Sequence, residues 1–167
     1  DIGEFAVLRH RKEGSNSDAP IYDYAMIDDD FMLAPVVASY LLDHPQGRAR
    51  AAGFLARKTG AGERFGDALA RNFAWVTAAA APFAREQKAN RLIALKPGKD
   101  TGQWRDSNDG LAGGRYPYDV NAVLVPSALS SIARLRAAGL LTPYLTPQQD
   151  GELANADTSA KVWLRAA

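Results

Sequence analysis

Residues 101–126 read TGQWRDSNDGLAGGRYPYDVNAVLVP, and this stretch decides how the rest of the chain is interpreted. Its turn-rich part holds Asp106 and Asp109 among aromatic side chains, arginines and glycines, and an apolar run at helical spacing follows. Carboxylates and guanidinium groups cost free energy unless they are exposed, paired or used. A sugar or another polyol suits this mixture, because its ring faces stack on aromatic rings while its hydroxyls bind carboxylates, amides and arginines. The stretch therefore predicts a polyol-binding loop.

Turn chemistry explains only part of this loop. Residues 107–110 (SNDG) are ordinary turn formers. An Asx-rich turn does not account for Trp104 and Arg105 on one side, or for Arg115 and Tyr118 on the other. We therefore favour a functional loop. We set an EF-hand calcium loop aside, because the glycine comes one residue early and no glutamate closes the loop.

A second candidate segment is Ile21–Asp30, with the sequence IYDYAMIDDD, which leads into a helix. Asp28, Asp29 and Asp30 stand where helix caps belong, and acids there also suit the positive end of a helix. A helix needs only one cap, so we keep Asp28 as a candidate carboxylate and Tyr24 as a candidate ligand contact. Capping and aromatic packing remain the alternative interpretation of this segment.

The composition excludes several classes of protein. Hydrophobic residues make up 47% and charged residues 23%, the profile of a soluble globular protein. The net charge of +1 argues against a general nucleic-acid binder. Cysteine is absent, which excludes disulfides and thiolate metal sites and leaves the compartment open. His10 and His44 are isolated, so we expect no metal site, and the sequence shows neither a signal peptide nor an apolar run of membrane-spanning length.

Apolar residues recur at spacings of three and four along most of the chain, which predicts an all-α fold. The predicted helices cover about 30–42, 45–58, 63–85, 120–138 and 152–167, and a short helical or extended piece covers 88–95. Residues 4–9 are expected to form an edge strand or a packed extension, and residues 142–150 a linker.

Three prolines fall within or beside the predicted helices. Pro35 is tolerable only in the first turn of its helix, because proline has no N–H to donate. Pro82 should kink or split the third helix, and Pro126 should kink the fourth or make it restart at Ser127.

Two elements of the organising stretch resemble a known family. Residues 104–107 (WRDS) followed by 109–110 (DG), and residues 117–122 (PYDVNA) opening a helix, are similar to the active-site region of six-hairpin glycosidases. The similarity is greatest to the amylo-glucosidase part of glycogen-debranching enzymes and their bacterial relatives. In that family the Trp-x-Asp-Ser element supplies the general acid, and the second element begins an inner helix that lines the sugar site. Residues 24–31 are similar to the family's segment in which an aspartate starts an inner helix.

The resemblance implies helical hairpins that form part of an (α/α) toroid, inverting hydrolysis of a glycosidic bond, and no cofactor. It implies Asp106 as the proton donor and Trp104 as the wall of a sugar subsite. It implies that Asp119 and Asn121 hold either sugar hydroxyls or the loop itself. Asp28 is the second candidate catalytic carboxylate. The candidate substrate-binding residues are Trp104, Arg105, Asp109, Arg115, Tyr118, Asp119, Asn121 and Tyr24.

The chain also departs from the family's pattern. A complete toroid has about twelve helices, which at roughly ten to twenty residues each needs a longer chain than this one. The family's general base lies in a later segment, and nothing after Gly139 resembles it. We therefore expect residues 1–167 to be one helical domain, a fragment of a larger catalytic domain that is inactive by itself. Its expected partners are an oligosaccharide or glycoside and the remainder of its own parent chain, with no nucleic acid and no membrane. A non-catalytic sugar-binding module and a helical assembly module remain as alternatives.

Overall fold

A computed structural model describes residues 3–21, 26–99, 102–104, 111 and 113–166. The structure is predominantly helical, with 69% helix and no strand in the described ranges, which confirms the all-α prediction. The nearest approach to a sheet in those ranges is an isolated bridge between Lys58 and Arg64. No helix among the described residues is both long enough and apolar enough to cross a bilayer.

The helices follow one another with short connections. The α-helices of the described ranges are α1 Gly3–Lys12, α2 Asp28–Ala38, α3 Pro45–Ala56, α4 Phe65–Arg85, α5 Val125–Ala137, α6 Pro147–Leu153 and α7 Ala156–Ala166. Two π-helical turns, Ser39–Asp43 and Val120–Leu124, continue α2 and lead into α5. Single 3-10 turns cover Ala89–Arg91 and Thr142–Tyr144.

Helix α5 lies at the centre of the bundle and packs against α2, α4 and α7. Its buried residues repeat at spacings of three and four, which gives one continuous apolar stripe. Trp163 of α7 is buried in the core, where it contacts α4. Its indole N–H donates to the Ala80 carbonyl at 3.2 Å, and its ring centroid lies 4.4 Å from that of Phe83.

The ends of the chain differ from the sequence prediction. Residues 4–9 are part of helix α1 and not an edge strand. Residues 142–150 are more than a linker, because they contain a 3-10 turn and the start of α6. Thr146 begins α6 with a capping box, in which its hydroxyl accepts from the Gln149 N–H at 3.2 Å. The final helical region is therefore divided into α6 and α7.

Pro35, Pro82 and Pro126 lie inside helices, and the helices continue past them to different extents. Pro35 lies inside α2, beyond its first turn, so the expectation that it needs the first turn is wrong. The α-helix passes into the π turn Ser39–Asp43 four residues after Pro35. Helix α4 continues through Pro82 to Arg85 and is not split there. Pro126 lies in the first turn of α5, just after the second π turn.

Helix α3 begins in close contact with the π turn before it. The Gly47 N–H donates to His44 Nδ1 at 3.4 Å, and a Cβ at Gly47 would overlap the Tyr40 carbonyl group. Gly53, on the same helix, has open space where its Cβ would stand.

We expect Gly47→Ala to lower the free energy of unfolding by about 1–3 kcal/mol, the usual cost of overpacking, because the Tyr40 backbone must move. Gly53→Ala is the matched control, and it should raise the free energy of unfolding by about 0.5–1 kcal/mol, because alanine favours a helix over glycine. Urea denaturation followed by circular dichroism measures both changes. Equal effects of the two substitutions would contradict this account of the α2–α3 junction.

Candidate functional site

The segment before α2 and the segment around residue 102 are joined by hydrogen bonds. The Ile27 N–H donates to the Gly102 carbonyl at 2.7 Å. The Lys96 ammonium group donates to the Met26 carbonyl at 3.1 Å. These bonds place residues 102–104 beside the N-terminal end of α2.

The segment before the second π turn joins the same group through Arg115. The Leu95 N–H donates to the Arg115 carbonyl at 2.8 Å. The Arg115 guanidinium donates in return to the carbonyls of Leu95 at 3.1 Å and Lys96 at 3.3 Å. Three segments therefore meet at one end of the bundle: the one before α2, the one that contains residues 95, 96 and 102, and the one before the π turn at Val120. The contacts of Arg115, a candidate ligand contact, join its segment to residues 95 and 96.

Asn121 is the polar centre of this arrangement. Its Oδ1 accepts from the Ile93 N–H at 2.8 Å, and its Nδ2 donates to the carbonyls of Ile93 at 2.9 Å and Pro117 at 2.8 Å. The side chain is buried. These bonds join the start of the second π turn to Ile93 and to Pro117.

The aromatic candidates are exposed. Trp104 is 62% exposed and Tyr118 is 78% exposed, values at which an aromatic ring is available to a ligand. Tyr118 also lines an apolar cleft of about 210 Å³ between the end of α4, the start of the second π turn and α7. The residues lining this cleft are Phe83, Leu92, Tyr116, Pro117, Tyr118, Asn121, Ala122, Trp163 and Ala166. The cleft offers flat ring faces, and its Asn121 amide is already engaged with the backbone.

Asp28, the second candidate catalytic carboxylate, is buried in the first turn of α2. It is 4% exposed, and its Oδ1 accepts from the Asp29 N–H at 3.1 Å. The N-cap residue is Ile27, which makes no side-chain cap bond, so the expected capping by the acid triplet is wrong. The three acids lie in the first turn, where the positive end of the helix favours negative charge.

Asp30 lies in a more open position than Asp28. It lines a cleft of about 510 Å³ with Ala68, Arg71, Asn72, Trp75 and Lys96. The Asp30 carboxylate is 3.7 Å from the Lys96 ammonium group. Burial raises the pKa of Asp30 above its usual value; the charge and hydrogen bond of Lys96 oppose this shift, while Asp29 and Asp28 reinforce it.

Trp75 is the aromatic side chain that lines this cleft, and it is not among the residues predicted from the sequence. Trp75 of α4 is 44% exposed, and its ring centroid lies 5.8 Å from that of the buried Phe31. Beside it, Arg71 forms an ion pair with Glu63. The available signal was a tryptophan on the polar side of α4, one turn after Arg71, since this side does not face the core.

Four of the predicted site residues, Tyr24, Arg105, Asp106 and Asp109, lie outside the described residues. Near them in sequence are two buried acceptor atoms, Gln103 Oε1 and Asp119 Oδ2, without a hydrogen-bond donor in the described ranges. Each can accept a hydroxyl or N–H group.

The same ranges contain no cluster of three or more His, Asp or Glu side chains that could hold a metal ion. The chemistry that the described side chains offer is hydrogen bonding, charge and ring stacking.

We expect Asn121→Ala to lower the free energy of unfolding by about 2–4 kcal/mol, because it removes three hydrogen bonds and leaves buried backbone groups unpaired. The control is Asn90→Ala, which truncates an exposed asparagine in the 3-10 turn and should change stability by less than about 0.5 kcal/mol. Urea denaturation of both variants is the measurement. Similar values for the two would remove Asn121 from its holding role.

Asp30→Asn tests the burial of the Asp30 carboxyl. A carboxyl whose folded-state pKa is raised contributes stability below its unfolded pKa, near 3.8, and loses that contribution as the pH rises through the folded-state pKa. Relative to the parent chain, the variant should therefore gain stability as the pH rises from that value to neutrality. The loss of the ion pair with Lys96 opposes this gain without reversing its pH dependence.

Thermal denaturation of Asp30→Asn across this pH range measures the difference. Asp18→Asn, at an exposed position outside the cleft, is the control for a general change of charge. If Asp30→Asn instead lost stability relative to the parent chain as the pH rose, the carboxylate form would be the one that the fold stabilises.

Comparisons of the chain with protein-family models, with curated proteins and with solved structures found no match. The resemblance to six-hairpin glycosidases therefore rests on the sequence alone, mainly on residues 104–122.

Proposed function

We propose that this chain is the sugar-binding part of a carbohydrate-active protein that hydrolyses a glycosidic bond with inversion, and that Asp106 is its general acid. One observation carries the proposal. The segments leading into α2 and into the π turn at Val120 meet at the same end of the bundle, through the bonds of Ile27, Arg115 and Asn121. Asp30, 3.7 Å from Lys96, and the exposed rings of Trp104 and Tyr118 belong to the segments that meet there.

The proposed chemistry needs a proton donor at the leaving oxygen. In inverting hydrolysis one carboxylic acid protonates that oxygen, while a carboxylate about 6.5–9.5 Å away activates water on the opposite ring face. Asp106 follows Trp104 by two positions, and apolar surroundings keep a carboxyl protonated near working pH. The exposed Trp104 ring also offers a stacking surface for the sugar.

We do not assign the second carboxylate to Asp28, because its side chain is buried and accepts from the backbone. Asp30 has access to an open cleft, where it can bind sugar hydroxyls together with Arg71 and Asn72. We assign the general base to the remainder of the parent protein, because no segment after Gly139 resembles the family's base. The 167-residue chain is then expected to bind a sugar without turnover.

A non-catalytic sugar-binding module is the second candidate, and the Asp30 cleft favours it. The cleft combines the exposed Trp75 ring with a carboxylate, a guanidinium and an amide, all from this chain. Such a set binds a sugar without a general base. The two candidates differ in whether the complete protein releases a product.

The test is the activity of Asp106→Asn in the complete protein. Asparagine keeps the size and hydrogen bonding of aspartate but cannot donate the proton, so turnover of a natural disaccharide should fall by about 10²–10⁴-fold. An aryl glycoside needs less protonation of its leaving group, and the loss should be smaller with this substrate.

Asp109→Asn is the matched control, because an asparagine serves as well as an aspartate in a turn. It should leave turnover nearly unchanged. Equal turnover of the disaccharide by the parent protein and by Asp106→Asn would remove Asp106 from the acid role. Disaccharide binding by the complete protein with no hydrolysis would favour the binding module.

A further inference from the structure

A third pocket lies on α3 and the first π turn, and it shares no lining residue with the two clefts described above. Its volume is about 410 Å³. The residues lining it are Tyr40, Ala49, Arg50, Gly53, Phe54 and Arg57. The set contains two aromatic rings and two guanidinium groups, and it contains no acid.

The two aromatic rings are each held by a ring outside the pocket. Tyr40 stacks with His44, with centroids 5.4 Å apart and an interplanar angle of 21°. Phe54 stacks with Phe65, with centroids 5.2 Å apart and an angle of 25°. Neither His44 nor Phe65 lines the pocket, so each pair leaves its pocket-side ring available. Rings fixed in this way lose little conformational freedom when a flat ligand stacks on them.

Among the described residues, no acidic partner neutralises the two arginines. In the described ranges neither Arg50 nor Arg57 forms an ion pair, whereas Asp43 pairs with Arg134 at 2.5 Å. Arg57 is held by Phe65, because its Cζ lies 5.7 Å from the centre of that ring. Helix α3 contains no acidic residue that could neutralise the pair. The pocket is therefore suited to an anion that carries two charges or several oxygens.

The floor of the pocket is formed by small residues. Ala49 and Gly53 are four positions apart on α3 and so lie on the same face, and Gly53 has open space where a Cβ would stand. No side chain at Gly53 fills the space between the rings and the arginines.

We propose that this pocket binds a nucleoside phosphate. The guanidinium groups offer paired N–H donors that match phosphate oxygens, and arginine serves this purpose better than lysine because of its planar fork. The flat base stacks on the aromatic rings, which bind any base through its π face. A free phosphate would use only the arginines, and a neutral nucleoside only the rings.

The test is calorimetric titration of the 167-residue chain with adenosine monophosphate, inorganic phosphate and adenosine. Adenosine monophosphate should bind at least about tenfold more tightly than either of the other two, because only it uses both halves of the pocket. Arg50→Gln and Arg57→Gln should each weaken its binding by about tenfold or more, the range for a hydrogen bond to a charged group.

Arg48→Gln is the matched control, since Arg48 is exposed on the same helix and does not line the pocket. It should leave the affinity within about twofold, the scale of a screened surface charge. Gly53→Glu is a second variant that keeps both arginines, occupies the floor and supplies a carboxylate. It should abolish binding while circular dichroism shows an unchanged helix content.

Three results would overturn the proposal. These are no heat of binding with adenosine monophosphate, equal affinity for inorganic phosphate, and an equal loss of affinity in Arg48→Gln and Arg57→Gln.

Discussion

The amide of Asn121 is the interaction on which the loop-bearing end of the bundle depends. One buried side chain satisfies the N–H and the carbonyl of Ile93 and the carbonyl of Pro117. The main chain near Ile93 is irregular and has no helix or sheet to pair its polar groups, so a side chain must do it. Through this amide the start of the second π turn is held to the 92–96 segment, which in turn is joined to the entry to α2 by the bond from Lys96 to the Met26 carbonyl. The exposed Tyr118 ring lies one residue before Asp119, at the helical start of this turn, while Trp104 lies on irregular backbone.

The sequence predicted the parts of the fold that depend on periodicity. Helices α4 and α5 were predicted to within a few residues, because their apolar stripes are long. The prediction was wrong where periodicity is short or overridden, as in α1, whose six-residue apolar run fits a strand as well as a helix. It was also wrong at Pro35, because the π turn that follows a proline inside a helix leaves no signature in the sequence.

The candidate site shows a similar division between what residue types indicate and what only packing decides. The PYDVNA element contains Asn121, which joins the start of the second π turn to Ile93. The WRDS and PYDVNA elements did not indicate which acid of the triplet would face an open cleft. That outcome depends on the helix starting with Ile27 as its cap, which buries Asp28 and directs Asp30 towards Lys96 and Trp75. The exact residue at which a helix begins depends on tertiary contacts, which one sequence does not display.

The two π turns have a consequence for how the molecule can change. A π turn contains about one residue more than an α turn, so the side chains after it are rotated by about 100° relative to those before it. In the continuous helical segment from Val120 to Ala137, Asn121 of the π turn faces the 92–96 segment, and the apolar stripe of α5 then faces the core. Because of the extra residue, the direction in which Asn121 faces is set separately from the direction in which the apolar stripe of α5 faces. An insertion or deletion at this turn would rotate Asn121 relative to the apolar stripe of α5. A substitution on either side of the turn leaves that relative rotation unchanged.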